Sequence, residues 1–175
     1  MATPHVAGAA ALVKQLFPDL SPEEIKSVLL LSAKQLDLST YVQGYGRLQV
    51  DQVESLPIIF NPSTFSLGIW YRQGKKGSGF QNQPRIALKN ISSNAVTLSL
   101  QPASSEDWKK GAKFYMDQET VTLVPGEKKE IRGDFSAPSS MGNPPANAGA
   151  FLLPLSLTVG EWKMEIPACL VQIQS

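Results

Sequence analysis

The amino-terminal stretch Met1-Ala2-Thr3-Pro4-His5-Val6-Ala7-Gly8-Ala9-Ala10-Ala11 determines how the first part of the chain folds. Its side chains are mostly small, so neighbouring elements can approach the backbone closely. Pro4 suits the first turn of a helix, where its missing N–H costs nothing. Pro18 disfavours helical geometry in the residue before it, so we expect the helix to stop at Phe17. Apolar residues at helical spacing predict one buried face, formed by Val6, Ala9, Ala10, Val13, Leu16 and Phe17.

Two further signals follow within the next forty or so residues. Ser21-Pro22-Glu23-Glu24 is typical of a helix start, with an N-cap serine, proline at the first helical position and glutamate two positions later for a capping box. An apolar stripe continues this second helix through Ile25, Val28, Leu29 and Leu36. A Gly-x-Gly turn at Gly44 and Gly46 then leads into the apolar pair Leu48 and Val50. The first third of the chain is therefore predicted to be helical, with a glycine-rich closing turn.

These elements, in this order, resemble the end of the catalytic domain of subtilisin-like serine proteases. In that family the nucleophilic serine directly precedes a Met-Ala-Thr-Pro-His-Val-Ala-Gly segment, and a Gly-x-Gly followed by an apolar segment closes the domain. The resemblance implies that residues 1–56 are the last helices of an incomplete catalytic domain. The positions that match the family motifs are Met1, Ala2, Thr3, Pro4, His5, Gly8, Gly44 and Gly46.

The resemblance implies an activity that these residues cannot perform alone. The intact protein would hydrolyse peptide bonds of polypeptide substrates by a Ser-His-Asp acyl-enzyme mechanism, with no cofactor and no metal. The expected nucleophile lies immediately before Met1, and the other triad members lie farther upstream. We therefore expect this chain to be inactive alone, and its partner to be the remainder of the catalytic domain. A secreted or cell-envelope location is implied for the intact protein.

His5 and Cys169 are the single histidine and the single cysteine of the sequence. A Cys-His pair between them is formally possible. In the family, however, the histidine of this motif is a packed helix residue, and the catalytic histidine lies upstream. Cys169 falls in an apolar strand pattern, where free cysteines are usually buried and inert. We interpret both as structural residues.

From Pro57 onward, short segments of alternating hydrophobicity separated by turns replace the helical periodicity. The predicted strands cover residues 85–90, 96–100, 120–124, 130–135, 151–159, 162–167 and 170–173. Pro125-Gly126 signals a type II turn between two of them. Seven or eight antiparallel strands of this kind predict a β-sandwich over residues 57–175, similar to the fibronectin-type-III-like modules of large subtilases. The predicted fold class is α+β, a short helical segment followed by an antiparallel sandwich.

Residues 68–83 combine aromatic side chains with glycines and lysines, which is typical of a surface loop. Trp70 and Tyr71 on such a loop could contact a polymer chain or a protein partner. The alternative, which we favour, is that these aromatics cover the edge of the sandwich or pack on the missing part of the catalytic domain.

Composition and charge restrict the remaining partners. A net charge of +1 gives no electrostatic reason to expect nucleic acid, and no apolar run approaches the ~20 residues that span a bilayer. An alternative hypothesis is a free-standing, non-catalytic binding or structural module that retains a relic of the protease helix. An Ala-rich helix without its sheet would leave a large apolar patch in water. We therefore expect the isolated chain to self-associate or to repack its first fifty or so residues.

Overall fold

The computed structural model describes residues 2–36, 38, 40–63, 65–72, 79–103, 110–143, 150–166 and 168–174, and Met1 lies outside them. The chain forms two compact units, and long stretches of sequence separate residues that belong to the same unit. Helices occupy the amino-terminal part and mostly antiparallel strands the rest. The architecture is therefore of the α+β class with a β-sandwich, as predicted.

The helices follow the local signals of the sequence closely. Helix α1 spans Ala2–Leu16 and ends one residue before Phe17, as Pro18 predicts. Helix α2 spans Pro22–Leu31, and its predicted capping box is confirmed, with Ser21 as the N-cap. A short helix α3 covers Thr40–Gln43, and a 3₁₀ turn covers Val53–Ser55.

The first unit comprises Met1–Ser63, Ala87–Val96 and Leu123–Lys129. In it, strand β1 (Ile58–Asn61) pairs antiparallel with the later part of strand β4 (Arg85–Asn90). Helix α1 packs on α2, and α2 packs on β1. The helices and the β1–β4 strand pair thus share one apolar core. Its buried members include Ala9, Val13, Leu20, Val28, Leu31, Leu56, Ile58, Ile59, Phe60 and Leu88.

The second unit comprises Thr64–Ile86, Thr97–Thr122 and Glu130–Ser175. The other strands are β2 (Phe65–Arg72), β3 (Phe80–Asn82), β5 (Val96–Pro102), β6 (Lys113–Met116), β7 (Val121–Leu123), β8 (Lys128–Ala137), β9 (Ala150–Leu152), β10 (Leu155–Val159), β11 (Trp162–Ile166) and β12 (Ala168–Gln174). One sheet has the order β11-β10-β5-β7, and another has the order β2-β12-β9. Strand β8 pairs antiparallel with β3 and with β6.

Two features of the strands differ from the sequence prediction. The predicted strand 151–159 is two strands, β9 and β10, interrupted at Leu153 and Pro154, because proline cannot donate a ladder hydrogen bond. Strands β2 and β12 pair in parallel, whereas the prediction was entirely antiparallel. Alternating hydrophobicity shows which face of a strand is buried but carries no information about the direction of its neighbour.

The predicted loop at residues 68–83 is wrong for Trp70 and Tyr71. Both residues lie within strand β2, and the Trp70 side chain is only 2% exposed. Removing the large Trp70 ring from water stabilises the strand conformation. The glycines and lysines that suggested a loop do not prevent this burial. Trp70 is thus a buried strand residue, whereas both expectations placed it on a surface loop; the side chain of Tyr71 lies outside the described atoms.

Candidate functional site

The motif at the amino terminus lies on the first two turns of α1. Ala2, Thr3, Pro4, His5 and Gly8 are all exposed. Pro4 is in the first turn, where helix geometry tolerates it. The motif thus forms one continuous helical surface that points into solvent.

The predicted buried face of α1 is covered only in its middle. Ala9 and Val13 are buried, as predicted, and Ala10 and Phe17 are half-buried. Val6 and Leu16 were predicted to be buried, but they are 46% and 47% exposed in this chain. Helix α2 has only ten residues and covers only part of the fifteen-residue α1. The periodicity therefore predicted an apolar stripe correctly, but the described chain does not cover its ends.

Gly8 occupies a position in α1 that nothing in the described part of the chain requires to be glycine. A Cβ added there would meet no atom within 4 Å. Glycine inside a helix costs ~1 kcal/mol relative to alanine. This cost is not offset by any close approach among the described residues.

A lysine fixes the turn between α1 and α2. The Lys14 ammonium donates to the carbonyl oxygens of Pro18 at 2.6 Å and of Leu20 at 2.9 Å. These carbonyls belong to the segment after the last turn of α1, where helix geometry provides no internal donors. The direction of α1 relative to α2 is thereby held by a charged donor as well as by packing.

The Gly-x-Gly motif closes the helical segment for a steric reason. Gly44 and Gly46 have φ angles of 60° and 113°, a region that favours glycine. A Cβ on Gly46 would lie 2.2 Å from the carbonyl oxygen of Lys34. This close approach forms the antiparallel bridge between Lys34 and Arg47. The motif is therefore a structural closure.

Tyr45, between these two glycines, is anchored in the core of the first unit. Its side chain is buried, and its hydroxyl donates a hydrogen bond to the carbonyl oxygen of Ser63. Burial raises the pKa of this phenol well above its usual range. Tyr45 consequently remains a neutral donor, suited to holding two segments together.

Glu24 is the centre of a charged cluster at the start of α2. One carboxylate oxygen accepts from the backbone N–H of Ser21, and the other lies 3.0 Å from Lys89 Nζ and 2.9 Å from Lys128 Nζ. Its side chain is 14% exposed. Burial alone would raise the pKa of Glu24, but the bonds to Ser21, Lys128 and Lys89 outweigh it and lower the pKa to about 2. Glu24 is therefore ionised throughout the physiological range.

Ser27 makes a second connection between α2 and the strands. It is 1% exposed; its hydroxyl donates to the carbonyl oxygen of Phe60 at 2.8 Å and accepts from the N–H of Phe60 at 3.3 Å. Both backbone groups of one strand residue are thus satisfied by one side chain on the facing helix. No local sequence pattern predicts this contact, because 33 positions separate the two residues.

Asn90 connects residues 91–94 to the predicted turn at Pro125-Gly126. It is fully buried, and its amide nitrogen donates to the carbonyl oxygens of Asn94 and Leu123 at 2.7 and 3.0 Å. Its backbone N–H donates to the carbonyl of Glu127, and its carbonyl accepts from Gly126. A buried amide with all its groups satisfied favours a single arrangement of these turns.

The single histidine and the single cysteine of the sequence lie in different units of the chain. His5 belongs to the first unit and Cys169 to the second. Burial raises the pKa of the Cys169 thiol, which favours the unreactive protonated form. Among the described residues, no group of three or more His, Cys, Asp or Glu side chains could hold a metal ion, and no helix there is long and apolar enough to cross a membrane.

The helical segment of the chain is similar to a known class of proteins. Residues 1–46 match the model of the subtilase family of peptidases, Peptidase_S8. The chain is similar to the subtilisin-like protease SBT1.9 of Arabidopsis thaliana, with 43% identity over 61 residues. This match covers 35% of the chain and 8% of that protease. These findings support the interpretation of the chain as a fragment of a subtilase.

A second relative extends the likeness farther along the chain. The minor extracellular protease Vpr of Bacillus subtilis is 29% identical over 107 residues, which cover 58% of this chain and 13% of that protein. An alignment of this length cannot be contained in residues 1–56. The matched parts of both relatives are a small fraction of the whole proteases.

Solved structures resemble this chain only distantly. The ASH/PapD-like domain of human CEP192 is 10% identical, with a TM-score of 0.43, and the match covers 68% of this chain and 87% of that domain. A FixG-related protein of Vibrio parahaemolyticus is 15% identical, with a TM-score of 0.41 over 66% of this chain and 92% of that chain. Such distant likeness does not identify a fold family for this chain. The fibronectin-type-III-like assignment therefore stays a prediction.

Proposed function

We propose that the chain forms part of a subtilisin-like serine endopeptidase, in which α1 carries the nucleophilic serine at its amino-terminal end. The match of residues 1–46 to the subtilase family is the observation that carries this proposal. The complete enzyme would cleave polypeptides through an acyl-enzyme, with an upstream histidine as general base and water as the final acceptor. The 175 residues alone would not catalyse this reaction.

The role of α1 follows from its polarity. The first N–H groups of a helix have no partners within it, and the positive end of its dipole favours negative charge nearby. A serine placed at this end would develop its oxyanionic transition state in a favourable field. In this proposal Ala2, Thr3 and Pro4 form the first turn, Met1 adjoins the nucleophile, and His5 is a structural residue.

The exposed stripe of α1 gives the proposed partner a definite surface. Val6, Leu12 and Leu16 are 46%, 51% and 47% exposed, and Gly8, one turn before Leu12, presents no side chain next to it. A neighbour packed on this surface would bury the apolar side chains, which is favourable, and could approach the helix backbone closely at the glycine. We assign this surface to the remainder of the catalytic domain.

The same surface predicts how the isolated chain behaves. Uncovered apolar residues on one helix face favour association through that face. The isolated 175-residue chain is expected to form dimers or larger species in sedimentation velocity. Val6→Ser combined with Leu16→Gln should shift it towards monomer, whereas Ser93→Gln, an exposed change outside α1, should not. A monomeric parent chain would contradict this part of the proposal.

The strand-rich part is proposed to brace the catalytic domain or to guide substrate. The domain assignment of 1–56 to the catalytic domain and 57–175 to a fibronectin-type-III-like sandwich belongs to this proposal. It is supported by the similarity to Vpr, whose alignment extends well beyond the first 56 residues. A secreted or cell-envelope location of the intact protein belongs to it as well.

The proposal is tested with a fluorophosphonate probe on the product of the complete gene and on this chain alone. The longer product should be labelled at a serine directly before Met1 and should degrade casein. Replacement of that serine by alanine should abolish both, and the 175-residue chain should not be labelled. Labelling of the chain alone, or a gene that encodes only these residues, would instead favour the free-standing module.

A further inference from the structure

We infer that residues beyond the family match act as positioning residues for α1. The group consists of Lys89 and Lys128, which hold Glu24, and Phe60, which holds Ser27; we call these five residues the α2 clamp. Phe60, Lys89 and Lys128 all lie outside the stretch 1–46 that matches the subtilase family. The inference rests on the proposed function, because it assigns these residues to the support of the helix that would carry the nucleophile.

The geometry shows how the clamp holds α2. The two ammonium groups are bound to one Glu24 oxygen at 3.0 and 2.9 Å, in the first turn of α2. The Ser27 hydroxyl makes two hydrogen bonds to Phe60 one turn later. Two attachments about one turn apart fix a helix against both rotation and tilt, whereas a single attachment leaves it free to pivot.

Helix α2 in turn holds α1. Ala9 and Val13 are the buried residues of α1, and α1 packs against α2. Lys14 bonds two carbonyls of the connecting turn. Because α1 has little other cover among the described residues, a displacement of α2 would move α1 with it. The clamp therefore determines where the amino-terminal end of α1 points.

The lysines are not equivalent in this arrangement. The Lys89 side chain is 18% exposed, whereas that of Lys128 is 65% exposed. Ion pairs in contact with water contribute little, because solvent screens them and long side chains lose rotational freedom. Lys89 should therefore dominate, and Lys128 should contribute a smaller part.

Hydrogen exchange on the 175-residue chain tests the clamp without any requirement for activity. Glu24→Gln can retain the capping bond to Ser21 but removes the charge. It should accelerate exchange of the α1 amides about tenfold, because a hydrogen bond to a charged partner is lost. Amides of β10 and β11, in the second unit, should not change. Glu23→Gln is the matched control, since Glu23 lies in the same first turn and makes no ion pair with a described residue.

Lysine variants separate the positioning role from a general structural one. Lys89→Met should accelerate hydrogen exchange of the α1 amides more than Lys128→Met does. Lys89→Arg, which keeps the positive charge, should leave this exchange as slow as in the parent chain. Equal acceleration in α1, β10 and β11 would overturn the inference, and so would unchanged α1 exchange in Glu24→Gln. If Lys89→Met does not fold, the comparison of Glu24→Gln with Glu23→Gln still decides.

The complete protease tests the consequence for chemistry. Lys89→Met should lower kcat about tenfold or more with little change in KM, because it displaces the nucleophile and leaves the substrate cleft intact. An unchanged kcat would overturn the positioning role. A wild-type product that does not react with fluorophosphonate would refute the proposed function, and the exchange experiment would still report on the clamp.

Discussion

Helices α1 and α2 are adjacent in sequence, but they differ in what their residues serve. Helix α1 carries the family motif and makes few contacts, with most of its surface exposed. Helix α2 carries a capping box and an apolar stripe, and it is bound through Glu24 and Ser27 to strands that follow later in the chain. We propose that the motif residues of α1 serve a surface outside the described chain, whereas Glu24 and Ser27 of α2 hold the fold of the chain itself.

The largest expected effect breaks the closure behind both helices. Gly46→Ala should destabilise the first unit by roughly 3 kcal/mol or more, because the new Cβ meets the Lys34 carbonyl and φ is unfavourable. Gly44→Ala is the control; it has positive φ but open space, and it should cost only ~1 kcal/mol. Urea unfolding measures both free energies. Equal costs would show that strain alone, without the clash, decides.

A smaller effect is expected where α2 contacts β1. Ser27→Ala leaves the N–H and C=O of Phe60 without this partner and should cost roughly 2–3 kcal/mol in the free energy of unfolding. Ser55→Ala, which removes an exposed local bond to the Gln52 carbonyl, should cost less than ~0.5 kcal/mol. A Ser27→Ala change within that same margin would show that water replaces the hydroxyl.

The Glu24 cluster predicts a dependence of stability on acid. The pKa of Glu24 is about 2 in the folded chain and 4.5 as its ordinary value. Because the pKa of Glu24 is lower in the folded chain, its ionised form stabilises the folded state at pH values above the ordinary pKa. This contribution is lost as the pH falls from about 4.5 towards 2. After solvent screening at Lys128 we expect a loss of ~1–2 kcal/mol. Urea midpoints measured across this range should fall more steeply in the parent than in Glu24→Gln; parallel curves would contradict the assignment.

The smallest effect has the opposite sign and lies in α1. Gly8→Ala should stabilise α1 of the isolated chain by ~0.5–1 kcal/mol, because nothing described approaches that position. Ala11→Gly, at another exposed site of the same helix, should cost a similar amount. Circular dichroism melts compare the two. In the complete protease we expect Gly8→Ala to lower activity instead, and full activity there would remove the argument for a close neighbour.

Local features were predictable from the sequence, because they depend on neighbouring residues. The end of α1 before Pro18, the Ser21 capping box and strand 85–90 all appear at their predicted places. The contacts that link α2 to the strands were not predictable. Lys89 looked like an ordinary strand residue, and its partner Glu24 lies 65 positions earlier.

The candidate site shows the same division. The sequence predicted the motif surface and the apolar stripe, but only the structure shows that Val6 and Leu16 are uncovered. Trp70 was assigned to a loop because nearby glycines and lysines dominate the local signal, while its burial depends on residues far away in sequence. Long-range packing decides such cases, and one sequence does not encode it in any short pattern.

The Ser27 hydroxyl has one further consequence, which concerns assembly and not stability. Among the described strands, β1 is an edge strand, paired with β4 on one side only. The unpaired backbone groups of an edge strand can hydrogen-bond another extended chain. Ser27 occupies the N–H and C=O of Phe60, in the middle of β1, much as a neighbouring strand would. We therefore expect this one helical side chain to hinder the pairing of foreign strands with the apolar segment Ile58-Ile59-Phe60.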